Sequence, residues 1–522
     1  MQKFKLAKEY FLDGCILLEA EKFSQAEDRF KKSLELIPDR SSTLTNLSVA
    51  QLKLKKYDEA KISAQKAIEF EGDNSEAYLN LGLIEQEFKC WDSALKCFDK
   101  ALELKKDYYE AWSNKGNILK ELKRYEEAIL HFDKALNLKP NYAEAYSNKG
   151  NVLSELKYYD KAIELYDKAI SLRSDYAEAY SNKGLALVEL NYYQDAIANY
   201  EKAIQLNGDY WDAYWNKACA QLTIGDFTEG WKNYEYRWRR VDSEAYRHSN
   251  IPLLQNLDDI YQKKILVWCD QFYGDSIQFS RYINVLTAMG ANIFFEVKAP
   301  LIEVFKNSFQ GCKIFLPGDS FPRVEYQIST SSLPLLFKTT LQNIPEPFSY
   351  LKSSCQSSRD WGEILNLNGN KLNIALACSG NTTHFKNDKN RPIGLEKFEP
   401  LLDIANLFLV QMNIEDSDKD FLNCYPEIKF LGSDIKSFND TAAIIQKMDL
   451  TISIDTSIAH LSGALGKKTW VLLSWVSDWR WLLDRADSPW YPSVRLYRQP
   501  KIGDWNGVLE KVTSDLRDMA SS

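Results

Sequence analysis

The sequence predicts two architectures in series: an all-α superhelix of repeats, then an α/β half made of two parallel-sheet units facing a cleft. Three observations predict this. A 34-residue period runs through about the first 210 residues. From Lys264 onward, short apolar or β-branched runs alternate with helical patterns, as in parallel sheets covered by helices. Within the second half, TISIDTSIAHLSGALG (451–466) leads from a strand through a small polar turn into a helix.

The repeat is read first. Ser33, Ala67, Ala101, Ala135, Ala169 and Ala203 are 34 residues apart, and Ala26, Ala60, Ala94, Ala128, Ala162 and Ala196 form a second series. Gly14, Gly82, Gly116, Gly150 and Gly184 share one register, with Ser48 in the gap, and Tyr78, Trp112, Tyr146, Tyr180 and Tyr214 form another. Small residues let two helices approach closely, and the aromatic fills the space beside them. The pattern resembles the tetratricopeptide repeat, a helix–turn–helix unit stacked into a superhelix. Six full repeats span about 7–210 and a divergent seventh about 211–240.

Asn46, Asn80, Asn114, Asn148, Asn182 and Asn216 also recur every 34 residues, on the first helix of each repeat. An amide offers donors and an acceptor, so such a ladder can grip an extended polypeptide whatever its sequence. Asn80, Asn114, Asn148, Asn182 and Asn216 are therefore acceptor-binding candidates; the alternative is bonding within the array. Asn117 and Asn151 would widen a polar groove. Lys115, Lys149, Lys183 and Lys217 read as a solvated edge. The seventh unit turns aromatic at Phe227, Trp231, Tyr234, Tyr236 and Trp238, which suits docking onto the second half of the chain.

The 522 residues are enough for several domains, read as 1–240 (repeats), 241–262 (connector), 263–366 and 367–522 (two α/β units). A net charge of −8 without a long basic run argues against nucleic acid as a partner. No run of about 18 apolar residues suits a membrane span. No uninterrupted apolar leader opens the chain, and nine scattered cysteines suit a reducing compartment, so the expectation is cytoplasmic.

In the second half, strands are expected at 264–269, 293–297, 313–316, 325–329, 372–378, 407–412, 428–432, 450–454 and 468–474, with a helix over 276–289. Part of 317–365, rich in proline and serine, reads as loop and linker. Ligands in such folds sit at the carboxyl ends of the strands. Three loops there carry chemistry. Gly274 allows a tight turn and Asp275 begins a helix, so its carboxylate can take a proton from an acceptor hydroxyl or amide, or simply cap the helix. Ser379-Gly380-Asn381, with Lys386, Lys389 and Arg391, can neutralise a leaving diphosphate or form a solvated basic loop. Asp455-Thr456-Ser457 places free N–H groups at a helix start, where an anion is favoured; an N-cap of an ordinary βα unit is the alternative. Asp416-Ser417-Asp418 reads as a solvated acidic loop rather than a metal site.

Together these residues resemble bacterial proteins that fuse tetratricopeptide repeats to a GT-B glycosyltransferase of the heptosyltransferase group. In layout the chain is also similar to nucleocytoplasmic O-linked N-acetylglucosamine transferases. The resemblance rests on Gly274-Asp275, Asp388-Lys389, Asp455-Thr456-Ser457-Ile458-Ala459-His460, the Gln271–Phe279 pattern and the segment holding Trp475, Trp479, Trp481 and Trp490. Ser457 stands where that family has glycine. It implies two Rossmann-like domains, no cofactor or metal, and a nucleotide-diphosphate sugar as co-substrate. It also implies inverting transfer with Asp275 as catalytic base. The donor would be held by Gly274, Gly380, Asn381, Lys389, Arg391, Asp455, Thr456, Ser457 and His460, and a polypeptide by the repeats. A C-terminal helix, Trp505 to Met519, would cross back to the first α/β unit. Two alternatives stand beside this: a repeat scaffold with a degenerate transferase half, and a transferase acting on a glycan or lipid-linked acceptor.

Overall fold

The computed structural model describes residues 2–241, 245–258, 260–345, 348–365, 367, 371–380 and 392–521. The chain divides into two compact bodies, one of residues 1–190 with 205–207 and one of 191–204 with 208–522.

The first body is a stack of helix pairs: α1 (Gln2–Glu19), α2 (Phe23–Leu36), α3 (Ser41–Lys53), α4 (Tyr57–Phe70), α5 (Ser75–Glu87), α6 (Trp91–Leu104), α7 (Tyr109–Glu121), α8 (Tyr125–Leu138), α9 (Ala143–Glu155), α10 (Tyr159–Leu172) and α11 (Ala177–Glu189). The glycine series works by close approach. A Cβ on Gly82 would lie 2.5 Å from the Phe98 ring, so only glycine lets that ring settle against α5. Successive repeats join through alanine faces: Ile84 of α5 packs on Ala60 and Ala64 of α4. Ile84 and Ile118 are fully buried, each stabilising by about 1.5–3 kcal/mol relative to exposure. The turn inside each pair is closed by a left-handed residue, Glu21, Lys55, Lys89, Lys123 or Lys157 (φ 56–64°). The Lys56 N–H then reaches back to the Gln51 carbonyl, satisfying a helix-end acceptor.

The expected solvated lysine row is instead paired. Lys115, Lys149 and Lys183 each reach an aspartate sixteen residues earlier (Asp99, Asp133, Asp167) at 2.5–2.6 Å. The correction follows from geometry: sixteen residues back lies on the second helix of the preceding pair, within reach of a lysine stem.

The second body begins with α12 (Tyr193–Leu206), α13 (Trp211–Thr223), α14 (Phe227–Tyr234) and a 3₁₀ turn, Glu235–Arg239. The seventh pair is cut short, its second helix stopping after eight residues. The rest alternates: β1 (Lys264–Trp268), α15 (Tyr273–Phe279), α16 (Arg281–Ala288), β2 (Asn292–Glu296), α17 (Ile302–Ser308), β3 (Lys313–Phe315), β4 (Tyr326–Ser329), α18 (Leu333–Leu336) and α19 (Cys355–Leu365), then β5 (Leu372–Ala377), β6 (Ala405–Leu409), α20 (Asp416–Cys424), β7 (Lys429–Phe430), α21 (Phe438–Lys447), β8 (Leu450–Ile454), α22 (Ser457–Ala464), β9 (Thr469–Leu473), β10 (Val494–Arg498) and α23 (Trp505–Ser521).

Two sheets result, in orders β3-β2-β1-β4 and β10-β9-β8-β5-β6-β7, parallel at every paired strand. Several expectations change. The helix expected over 276–289 starts at Tyr273 and breaks at Ser280, whose hydroxyl bonds back to the Ile277 carbonyl. The supposed linker contains α19, held by the Trp361 indole N–H on Asp440. Asp416 and Asp418 start a helix, and Asp418 is buried, accepting from the Leu395 N–H at 3.2 Å. The C-terminal helix does not cross back. Val508, Leu509, Val512 and Leu516 pack with Ile374, Leu376 and Ile452 of the second sheet. One apolar core runs from Ala218 of α13 through both sheets, with α15 packed on α22 and α17 on α21.

Candidate functional site

Three strand ends converge. After β1 the chain turns through Gln271, left-handed at φ 52°, whose carbonyl accepts from Lys298. It enters α15 at Tyr273. After β8, Thr456 is the N-cap of α22, its hydroxyl oxygen accepting from the Ile458 N–H at 3.3 Å and meeting the Ser453 hydroxyl at 3.1 Å. After β5, Ser379 is held by Gln411, whose side-chain oxygen accepts from the Cys378 and Ser379 N–H groups at 2.8 and 3.0 Å.

The glycines are where the loops touch. A Cβ on Gly274 would lie 2.9 Å from the His460 ring, and one on Gly380 would lie 3.3 Å from the Thr456 methyl. Gly274 thus sits against α22, and Gly380 against its cap. His460 is buried; its Nδ1 lies 2.9 Å from the Tyr491 hydroxyl and its ring stacks on Trp481 at 5.1 Å. Its Nε2 is 4.0 Å from Asp455. Ser457 opens α22 and is half-buried, so the start of the helix is reachable beside the buried histidine.

Asp275 is buried at 4% exposure. One carboxylate oxygen accepts from the Phe272 N–H at 3.1 Å, and the other is paired with Arg480. Arg480 in turn holds Asp478 at 2.7 Å and lies over the Trp479 ring at 4.2 Å. Burial pushes the Asp275 carboxyl up from its ordinary value; the Arg480 guanidinium opposes this, and the nearby Asp270 and Asp478 carboxylates add to the rise. Asp270 itself is fully buried, accepting from the Thr330 hydroxyl and Ser331 N–H at 3.1 Å and paired with Arg237 at 3.3 Å.

Gly274, Asp275, Gly380, Asp455, Thr456, Ser457 and His460 are therefore brought together. Asn381, Lys389 and Arg391, with Asp388, lie outside the described residues. Trp479, Trp481 and Trp490 are buried core. Arg480, Gln411 and Tyr491 are absent from the expected set. Arg480 carried a signal, a cation between two tryptophans; Gln411 and Tyr491 carried none.

In the repeat body the asparagine ladder is not uniform. Asn80 is buried and donates to the Thr45 carbonyl (3.2 Å) and Ser48 hydroxyl (3.1 Å), so the expectation that it binds an acceptor is corrected: its amide donors join neighbouring repeats. Asn148 lines a depression of about 350 Å³ with Gln86, Asn117, Lys120, Asn151 and Glu178. Asn114, Asn182 and Asn216 are half-buried.

Sequence models described as TPR repeat match residues 116–157 and 150–191, and others described as tetratricopeptide repeat match 41–74, 97–129 and 177–210. The first half of the chain carries tetratricopeptide repeats. The chain is similar to Protein FlbA of Caulobacter vibrioides, 24% identical over 314 residues, covering 55% of this chain and 52% of FlbA. It thus spans about half the length of that relative. Among solved structures, a likeness is found to the APC/C hetero-tetramer Cut9–Hcn1 (20% identity, 41% of this chain and 42% of that one, TM-score 0.39). A second is to pilF of Pseudomonas aeruginosa (18% identity, 40% and 95%, TM-score 0.35).

Proposed function

We propose that this chain is a glycosyltransferase that moves a sugar from a nucleotide-diphosphate donor to a polypeptide held by the repeats, with a GT-B arrangement of its two parallel sheets. One observation carries the reading. Gly274-Asp275, at the end of a strand of the first sheet, lies against His460 on the helix that Thr456 and Ser457 open at the end of a strand of the second. A proton acceptor and an anion-favouring helix start therefore sit side by side, as a displacement at an anomeric carbon requires.

In the mechanism, Asp275 takes the acceptor's proton as its oxygen or nitrogen attacks the anomeric carbon. The bond from that carbon to the diphosphate oxygen breaks, and its electron pair leaves with the diphosphate toward Thr456–Ser457. Lys389 and Arg391 are assigned to the same phosphates by resemblance. The reading is metal-independent and inverting on the same ground. The half-buried Asn148 and the polar depression around it support a polypeptide partner.

A second reading, a repeat scaffold with a silent α/β half, is favoured by one feature: Asp275 is buried and ion-paired. A panel of nucleotide sugars separates the two. Thermal stabilisation or slow hydrolysis of one donor is expected. If no donor does either, and Asp275→Asn leaves cellular glycosylation unchanged, the transferase reading fails.

A further inference from the structure

The pairing of Asp275 with Arg480 is hard to reconcile with a free base, and its geometry suggests what opens it. The pair spans 205 residues of sequence and joins α15 of the first α/β unit to the turn Trp479–Trp481 of the second. A carboxylate held by a guanidinium is a poor proton acceptor, because the permanent cation favours its ionised form. Asp275 therefore needs Arg480 removed before it can take a proton.

Arg480 is built to survive that exchange. Its Nη1 stays on Asp478 at 2.7 Å and its plane rests over Trp479 at 4.2 Å, so only the Nη2 edge changes partner. The next residue, Trp481, stacks on His460 at 5.1 Å, and His460 touches Gly274. The guanidinium is thus one residue from a ring stacked on His460, the side chain that lies against the Gly274 loop. A diphosphate at the start of α22 carries more charge than one carboxylate and matches the guanidinium fork with two parallel hydrogen bonds.

We propose that Arg480 is a diphosphate-binding residue held in reserve by Asp275: the donor's diphosphate takes its Nη2 edge, and the carboxylate so released becomes the acceptor's base. This rests on the glycosyltransferase reading and adds an order to it, donor before acceptor. The charges balance. Asp275 leaves one cation and gains one proton from the acceptor. The electron pair of the broken carbon–oxygen bond goes to the diphosphate, where Arg480 meets it. The Asp270 carboxylate, buried and paired with Arg237 at 3.3 Å, adds to the rise in the proton affinity of Asp275, which favours proton uptake there.

The test is titration of the full chain with ADP, CDP, GDP, UDP, dTDP and inorganic pyrophosphate by calorimetry. Asp275→Asn removes the competitor, so the best diphosphate binds it about tenfold more tightly than the wild type, and Arg480→Gln loses about tenfold. The double variant shows no tightening over Arg480→Gln. Because these changes touch a buried pair, Arg480→Lys is run beside them. It keeps the charge opposite Asp275 and Asp478 but not the fork, and it lowers diphosphate affinity about tenfold while leaving affinity for the matching nucleoside unchanged. If a diphosphate binds but Asp275→Asn does not tighten it, or Arg480→Lys binds it as the wild type does, the inference fails alone. If no diphosphate binds the wild type or Asp275→Asn, the inference fails together with the transferase reading.

Discussion

The two bodies handle charge in opposite ways. In the repeat body, one arrangement is copied: Lys149 with Asp133 at 2.5 Å has side chains 21% and 44% exposed, and Lys115 and Lys183 repeat it. In the α/β body, each buried ion pair occurs once. Arg237 and Asp270 are 2% and 0% exposed, and Arg237 also reaches Glu235, Ser329 and Ser332. A copied, water-washed pair contributes little and marks the scaffold. A single desolvated pair is costly to break and marks where the fold is committed to one geometry.

The largest effect that tests this contrast comes from Arg237→Met. It leaves the Asp270 carboxylate buried without its cation, so the α/β body is expected to lose about 3–5 kcal/mol. Lys149→Met should change stability by less than about 1 kcal/mol. Guanidinium unfolding followed by tryptophan fluorescence and by far-ultraviolet circular dichroism reads both, and equal losses would break the comparison. A smaller effect sharpens it within the ladder. Asn80→Ala removes two bonds, to the Thr45 carbonyl and the Ser48 hydroxyl, which keep their bond to each other, and should cost about 1–3 kcal/mol, whereas Asn148→Ala should stay within about 0.5. Asn148→Ala should still weaken polypeptide capture in a pull-down, which Asn80→Ala should affect only through stability.

The smallest effect is a pH dependence. His131 is buried and its Nδ1 donates to the Glu127 carbonyl at 2.7 Å; burial lowers its proton affinity below the ordinary value, against that bond. The folded value is depressed, so the stabilisation is present above the unfolded histidine value of about 6.5 and is lost as pH falls through the folded one. Melting of the repeat helices between pH 7.5 and pH 5, followed at about half-unit steps, should show a shallow decline that His131→Gln removes. An unchanged slope in the variant would assign the decline elsewhere.

The repeat was legible because it is written many times. A period of 34 needs no knowledge of packing, and the glycine and alanine series name the close contacts directly. Strand β8 is legible to the residue because β-branched and small polar residues alternate from Thr451 to Ile454, and Asp455 then breaks the run. The segments at Gly274-Asp275, Gly380 and Thr456–His460 are legible as loops following strands, since a parallel sheet brings such ends to one side. The pairing of Arg480 with Asp275 is not, because that partner lies 205 residues away. Asn80 shows the converse failure. Periodicity said that the ladder residues share a register, and register does not say whether an amide faces its neighbour or a groove. Strand β10 escaped because VRLYR alternates charge with apolar residues at the sheet's edge, where one face meets water.

Trp231 has one more consequence. It belongs to the last helix pair, yet its indole N–H is bonded to the Thr339 carbonyl and its ring meets Phe279 of α15, Trp479 beside Arg480, and Trp490. An indole of this kind covers about 150–250 Å². Both carriers of the Asp275–Arg480 pair rest on it. A lineage trading one recognition array for another by recombination at residue 240 would tear this residue from its seat. The inheritable seam lies ahead of α12, where the second body begins, so the final pair travels with the α/β body and the pairs of the first body are free to diverge.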